Sequence, residues 1–346
     1  MNMQTNELKS RVLAPQDYPL RPVGMEDFNA LLGLINAFSR HFIQVNEMDE
    51  AELMNFLTNP EMNMAEDLRM ILSPQGNMLG YVECIAWDSP PVHPSVWLRV
   101  HPDYLDTDIG QRLLTWADER AQQSLDRCPS ELRVSVHNFT LAEAKPLARL
   151  LEANSYRLIR HSFQMWVDLD MPATPAQWPP GIELRPFSEE RHLEAVYKAY
   201  DRSFSDHYGY QKRPFDVGLK RFRHMLIEDD AYDPALWFVA WDGDQVAGFS
   251  LSYKYSSEDP NMGWLALLGV PRPWRKRGLG KALLLHTFEE FLRRGKKRVG
   301  LGVDAGNLTG ALRLYENVGM YVARQYDRYE KELRPGKELM TVELSE

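Results

Sequence analysis

The chain has 346 residues, too many for one ordinary domain and enough for two of roughly 150–170 residues each. Hydrophobic residues make up 44%, charged residues 26% and aromatic residues 11%, a globular mixture that excludes a disordered or fibrous chain. The formal net charge of −9 excludes broad contact with a nucleic-acid backbone, and the two cysteines, Cys84 and Cys128, stand in no CxxC or Cys/His cluster, so neither a disulfide framework nor a metal site is expected.

In chain order, MNMQTNELKSRVLA lacks the apolar run of a secretory signal, and no stretch of about eighteen apolar residues follows it. A cytoplasmic protein without a membrane partner is expected. LRP at Leu20–Pro22 opens a first unit, VHPDYLDTDIGQRLL spans 100–114, and LLEANSYRLIRHSFQMWVDL closes the unit at 150–169. DMPATPAQWPPG, 170–181, holds four prolines and reads as a stiff extended linker. A second unit follows. IELRPF predicts a strand, and Glu189 to Phe204 a helix with Leu193, Val196, Tyr197 and Tyr200 on one face. ALWFVAW and VAGFSLSY predict a hairpin turning at Asp242 and Gly243, and WLALLGV a buried strand. From Gly280 to Arg294 the apolar positions Leu284, Leu285, Phe288, Phe291 and Leu292 predict an amphipathic helix. RVGLGV predicts a strand, LTGALRLYENVG a helix closed by Gly319, and MYVARQYDRYEKEL a last strand or hairpin.

The two units repeat one pattern. LRP recurs 164 residues on, at Leu184–Pro186, and LLEANSYRLIRHSFQMWVDL aligns at that same offset with LYENVGMYVARQYDRYEKEL, 314–333. VHPDYLDTDIGQRLL aligns with VPRPWRKRGLGKALL, 270–284, at an offset of 170. The expected division is a first domain over 1–169, the linker 170–181 and a second domain over 182–346. Each is expected to be an α/β unit around a mixed sheet.

GVPRPWRKRGLGKALL carries the chemistry. A buried strand runs into a basic turn with Gly278 and Gly280 and then directly into a helix, whose first amides and dipole favour an anion. Arg275, Lys276 and Arg277 add positive charge. A nucleotide-binding P-loop fails here, because Arg275 stands five before Gly280 and Ala282 follows Lys281; a dinucleotide fingerprint fails because Leu283 stands where its third glycine belongs.

The segment resembles the acetyl-CoA signature of the GCN5-related N-acetyltransferase (GNAT) family: Gln or Arg, two residues, Gly, one residue, then Gly or Ala. Arg275, Gly278 and Gly280 match it, and the later family pattern is matched by Asn307, Ala311, Leu314, Tyr315, Glu316, Gly319 and Met320. The resemblance covers the second unit from about 182 to 333 and implies two tandem GNAT-like domains, each a mostly antiparallel sheet flanked by helices. It implies that amides of the turn after Gly278, through Leu279, Gly280 and Lys281, hold the cofactor's pyrophosphate. Leu268, Gly269 and Val270 would pair with the pantetheine arm, and Asn307 would lie near the thiol. Tyr315 matches the position that donates a proton to the departing thiolate. A hydroxyl of pKa about 10 facing a thiol of pKa about 8.5 suits that transfer.

The first unit departs from the signature. Leu105, Asp108 and Leu151 stand where Arg275, Gly278 and Tyr315 stand, and Asp106 adds a second carboxylate. That half is expected not to bind coenzyme A. The resemblance places the acceptor beside the loop 203–215, where Asp206, His207 and Tyr208 gather, and Glu258 precedes the strand that would present the acetyl group. The expected activity is transfer of acetyl from acetyl-CoA, as co-substrate, to a primary amine of a small molecule or peptide. A non-catalytic acyl-CoA sensor or scaffold is the alternative, and oligomeric state is not legible. The run 339–344 alternates and could form an edge strand.

Overall fold

The computed structural model describes residues 18–170, 174–306 and 310–342, and the chain divides into two units. One comprises Met1–Ile159 with Asp327–Lys337, the other Arg160–Tyr326 with Glu338–Glu346. Among the described residues no helix is long and apolar enough to cross a membrane.

In the first unit, β1 (Leu20–Pro22) leads to α1 (Phe28–Ile43), α2 (Glu50–Leu57) and the short α3 (Met64–Asp67). The sheet continues with β2 (Leu68–Leu72), β3 (Met78–Ile85) and β4 (Ser95–Val100). Then come α4 (Ile109–Gln122), β5 (Val134–Leu141), α5 (Lys145–Ala153) and β6, which begins at Arg157 and runs to Asp168. Leu31, Leu34 and Ile35 of α1 recur at helical spacing and bury against Leu68, Met70 and Tyr81 of the sheet. The strand order is β1-β2-β3-β4-β5, antiparallel except for the parallel β4–β5 pair.

The second unit repeats that order: β7 (Glu183–Pro186), α6 (Glu189–Phe204), α7 (Phe215–Leu226), β8 (Tyr232–Asp242), β9 (Gln245–Tyr253) and β10 (Met262–Gly269). There follow α8 (Leu279–Arg293), β11 (Arg298–Asp304), α9 (Ala311–Glu316) and β12 (Tyr321–Arg334), a single strand where a hairpin was the other expectation. Its order is β7-β8-β9-β10-β11-β6, again with one parallel pair, β10–β11. Leu284, Phe288 and Phe291 of α8 fill one face of this sheet with Leu265, Val299 and Leu301; Val196 and Tyr197 of α6 and Phe222 of α7 fill the other.

The repeat offsets reappear as contacts. A Cβ built on Gly280 would meet Leu314 at 3.2 Å and Val270 at 3.8 Å, and one on Gly110 would meet Leu150 at 2.9 Å and Val100 at 3.6 Å. Both glycines let a helix start lie against the following helix and the preceding strand end. The unit boundaries differ from those expected from the sequence. Arg160–Asp168 pairs into the second unit's sheet beside β11, and Asp327–Lys337 belongs to the first unit beside β5. Glu330 there takes both terminal nitrogens of Arg133 at 2.7 and 2.9 Å and bonds Ser135 and His137, which ties this segment down. Of the run 339–344, residues 343 and 344 lie outside the described residues. The rest forms no strand; Thr341 exchanges backbone hydrogen bonds with Gly209 and Tyr210.

Candidate active site

β10 and β11 pair in parallel from Met262↔Arg298 to Leu265↔Leu301, and there the register ends, although the strands run on to Gly269 and Asp304. On its other side β10 stays paired with β9 as far as Gly269, with an irregularity between Leu265 and Leu267. The result is a wedge, open along one edge of β10 at Leu268–Gly269. An unpaired strand edge offers its amides and carbonyls to any extended chain that carries amides of its own.

The wedge leads to the basic turn. Gly278 is the N-cap of α8 with φ +84°, a left-handed conformation that costs a side-chain-bearing residue about 1–2 kcal/mol. The first helical bond runs from the Ala282 amide to the Gly278 carbonyl, so Leu279, Gly280 and Lys281 have no intrahelical acceptor for their N–H groups. Lys276, Arg277 and Lys281 are exposed around these amides. Arg275, expected to add positive charge there, is engaged within the protein. Its guanidinium donates to the Val270 carbonyl at 2.9 Å, the Ser203 carbonyl at 3.0 Å and Asp206 at 2.8 Å, so it braces the turn.

Tyr315 on α9 is 7% exposed and belongs to the same buried cluster as Leu265, Leu301 and Val303, with Leu268 packed against that cluster. Burial pushes its hydroxyl up to about 12, which keeps it protonated at neutral pH. Asn307 lies outside the described residues.

The acceptor-side expectations separate. Asp206 is 5% exposed and accepts from Arg272 Nε and a terminal nitrogen at 2.9 and 2.6 Å, besides Arg275. These hydrogen bonds from Arg272 and Arg275, against the cost of burial, hold its carboxyl below the usual range. Each of its oxygens accepts from an arginine, so the carboxylate clamps Arg272 to Arg275. His207 packs on Phe204 with ring centroids 4.4 Å apart, and burial, with Arg275 nearby, lowers its pKa and keeps it neutral. Tyr208 lies under the Arg160 guanidinium at 4.1 Å, and Arg160 in turn pairs with Asp304 at 2.6 Å and bonds the Gly306 carbonyl. Glu258 is buried in an ion pair with Arg324 and accepts from Gln164. Arg160, Arg272 and Arg324 escaped sequence reasoning. Arg272, three residues before Arg275 in the same turn, carried a usable signal.

The first unit has the same splay without the same turn. Its parallel pair ends at Trp97↔Phe139 while β4 and β5 run on to Val100 and Leu141. At its helix start Asp108 has φ −77°, so the left-handed turn of Gly278 is absent, and exposed Asp106 and Asp108 bring negative charge. Leu151 is buried at the tyrosine position.

Comparison with known proteins agrees with this geometry. The model of the acetyltransferase (GNAT) family matches residues 193–320. Mycothiol acetyltransferase of Thermobispora bispora is 30% identical over 237 residues, covering 68% of this chain and 75% of that one. A GCN5-related N-acetyltransferase from Sphaerobacter thermophilus superposes with a TM-score of 0.78 at 29% identity, over 94% of this chain and 99% of that chain. A tandem GNAT protein from the clavulanic acid biosynthesis pathway shares the fold, with a TM-score of 0.66 at 17% identity over 93% of this chain.

Proposed function

The chain belongs to the GNAT acetyltransferase family and is an acyltransferase, and from that premise we propose that its second unit transfers acetyl from acetyl-CoA to a primary amine of a small molecule. The observation that carries the proposal is the splay of β10 from β11 beyond Leu265 and Leu301, followed in the chain by the helix start at Leu279, Gly280 and Lys281, with Tyr315 in the buried cluster that holds Leu265 and Leu301. A phosphate suits the amides and exposed cations at one end. An amide-bearing arm suits the open strand edge at Leu268–Gly269, and the thioester then falls toward the buried hydroxyl.

The amine nitrogen attacks the thioester carbonyl, and the tetrahedral adduct collapses with cleavage of the C–S bond. The thiolate takes the Tyr315 proton, and the proton lost by the amine restores the tyrosine through solvent. The products are an amide and free coenzyme A. Asp206 and Glu258, each committed to arginine, are poorly placed to take the amine's proton; neutral His207 is able to accept one. A relative named for a small molecule, mycothiol, supports that class over a peptide. The first unit, by its Asp108 turn and Leu151, is assigned no coenzyme A.

The test is release of free thiol from acetyl-CoA across a panel of amino sugars, polyamines and amino-acid amines. Amine-dependent release is expected with at least one of them. Tight acetyl-CoA binding with no transfer to any amine in the panel would contradict the proposal.

A further inference from the structure

The loop between α6 and α7 is tied to both strands that border the wedge, β10 and β11. On the β10 side, the two oxygens of Asp206 accept three N–H bonds from Arg272 and Arg275, and Arg275 also holds the carbonyls of Ser203, at the end of α6, and Val270, just past β10. One guanidinium thus joins the donor strand, the anion-binding turn and the acceptor-side loop. On the β11 side Tyr208 stacks on Arg160, which grips Asp304 and Gly306 where the strand ends. A third tie runs to the C-terminal segment, where Thr341 bonds Gly209, Tyr210 and, through its hydroxyl, Ser205.

A buried carboxylate between two guanidiniums is a stiff link, because moving either partner leaves charge unpaired at low exposure. An anion settling on the amides of Leu279–Lys281 fixes the backbone that Arg275 begins. We propose that Asp206 is a positioning residue that transmits occupancy of the pyrophosphate turn to the loop 205–210, so that bound acetyl-CoA orders the surface that meets the acceptor. This rests on the acetyl-CoA reading of the wedge.

Hydrogen exchange of the full chain, with and without saturating acetyl-CoA, tests it. In the wild type, amides of both 279–281 and 205–210 exchange more slowly with the ligand, the loop by about tenfold, a usual size for coupling between two sites. In Asp206→Asn the turn stays protected and the loop does not. Asp206→Glu restores part of the loop's protection, which a general loss of packing would not do. Arg272→Ala removes an exposed partner while Arg275 remains, and lowers the loop's response without unfolding the protein. Protection of 279–281 in the wild type with no change at 205–210 overturns the coupling alone, as does loop protection undiminished in Asp206→Asn. Absence of ligand protection at 279–281 overturns the acetyl-CoA reading and the coupling with it.

Discussion

At the scale of single residues, Tyr315 and Gly278 each make their own prediction. Tyr315→Phe removes the hydroxyl from a packed site and nothing else. Turnover falls by about a hundredfold while the acetyl-CoA dissociation constant is unchanged, as expected for a group that acts in proton transfer. The sign of the pH effect follows from burial, which raises this hydroxyl to about 12. The acid form persists at every lower pH, so the wild type shows no loss of turnover from Tyr315 ionisation between pH 6 and 10. A rate profile with such a limb near pH 9 contradicts the role. The glycine turn and helix start before α8 were legible in the sequence because glycine, a helix start and basic residues lie within one short segment. The pairing of Asp206 with Arg275 was not legible, for the opposite reason. Their pairing joins positions 69 residues apart, and nothing local distinguishes a carboxylate that meets a ligand from one that meets an arginine.

At the scale of elements, the strands and helices of the second unit follow their apolar periodicity, and the α6 bounds equal those read from the sequence. The wedge was not readable, because periodicity says which residues form a strand and not where pairing with its neighbour stops. The first unit offers an independent test of how its sheet carries charge. Glu83 of β3 accepts from the Tyr81 hydroxyl at 2.8 Å, and burial raises its carboxyl to about 7. A raised acid binds its proton in the folded state, so stability falls as pH rises from about 4.5 to about 7 and stays reduced above. Glu83→Gln keeps the acceptor without the charge. At pH 8 it is expected to be more stable than the wild type by about 1–2 kcal/mol, and at pH 4.5 to match it, by urea unfolding. A variant less stable at pH 8 contradicts the burial argument.

For the whole molecule, the exchange of strand segments is what the sequence concealed. The strands that close the two repeats share one pattern, and that pattern does not encode which sheet each will join. Glu330 shows what holds the returning segment: burial opposes its charge, but hydrogen bonds from His137, Arg133 and Ser135 keep its carboxyl well below the usual range. That stabilisation is present above the unfolded value and is lost as pH falls through the acidic range. Glu330→Ala is expected to destabilise the first unit by about 1–3 kcal/mol, since its partner Arg133 is only partly exposed. Acetyl-CoA affinity in the second unit is expected to be unchanged. Equal loss of both would place the anion site elsewhere than the turn at Gly278.

The most direct measurement is a calorimetric titration of the chain with acetyl-CoA, beside Gly278→Asp, which brings to the second unit the residue that Asp108 supplies in the first. One acetyl-CoA per chain in the wild type, with binding abolished in the variant, is the predicted result. Two acetyl-CoA per chain, or binding that survives the aspartate, would contradict the assignment of a single coenzyme A site to the turn before α8.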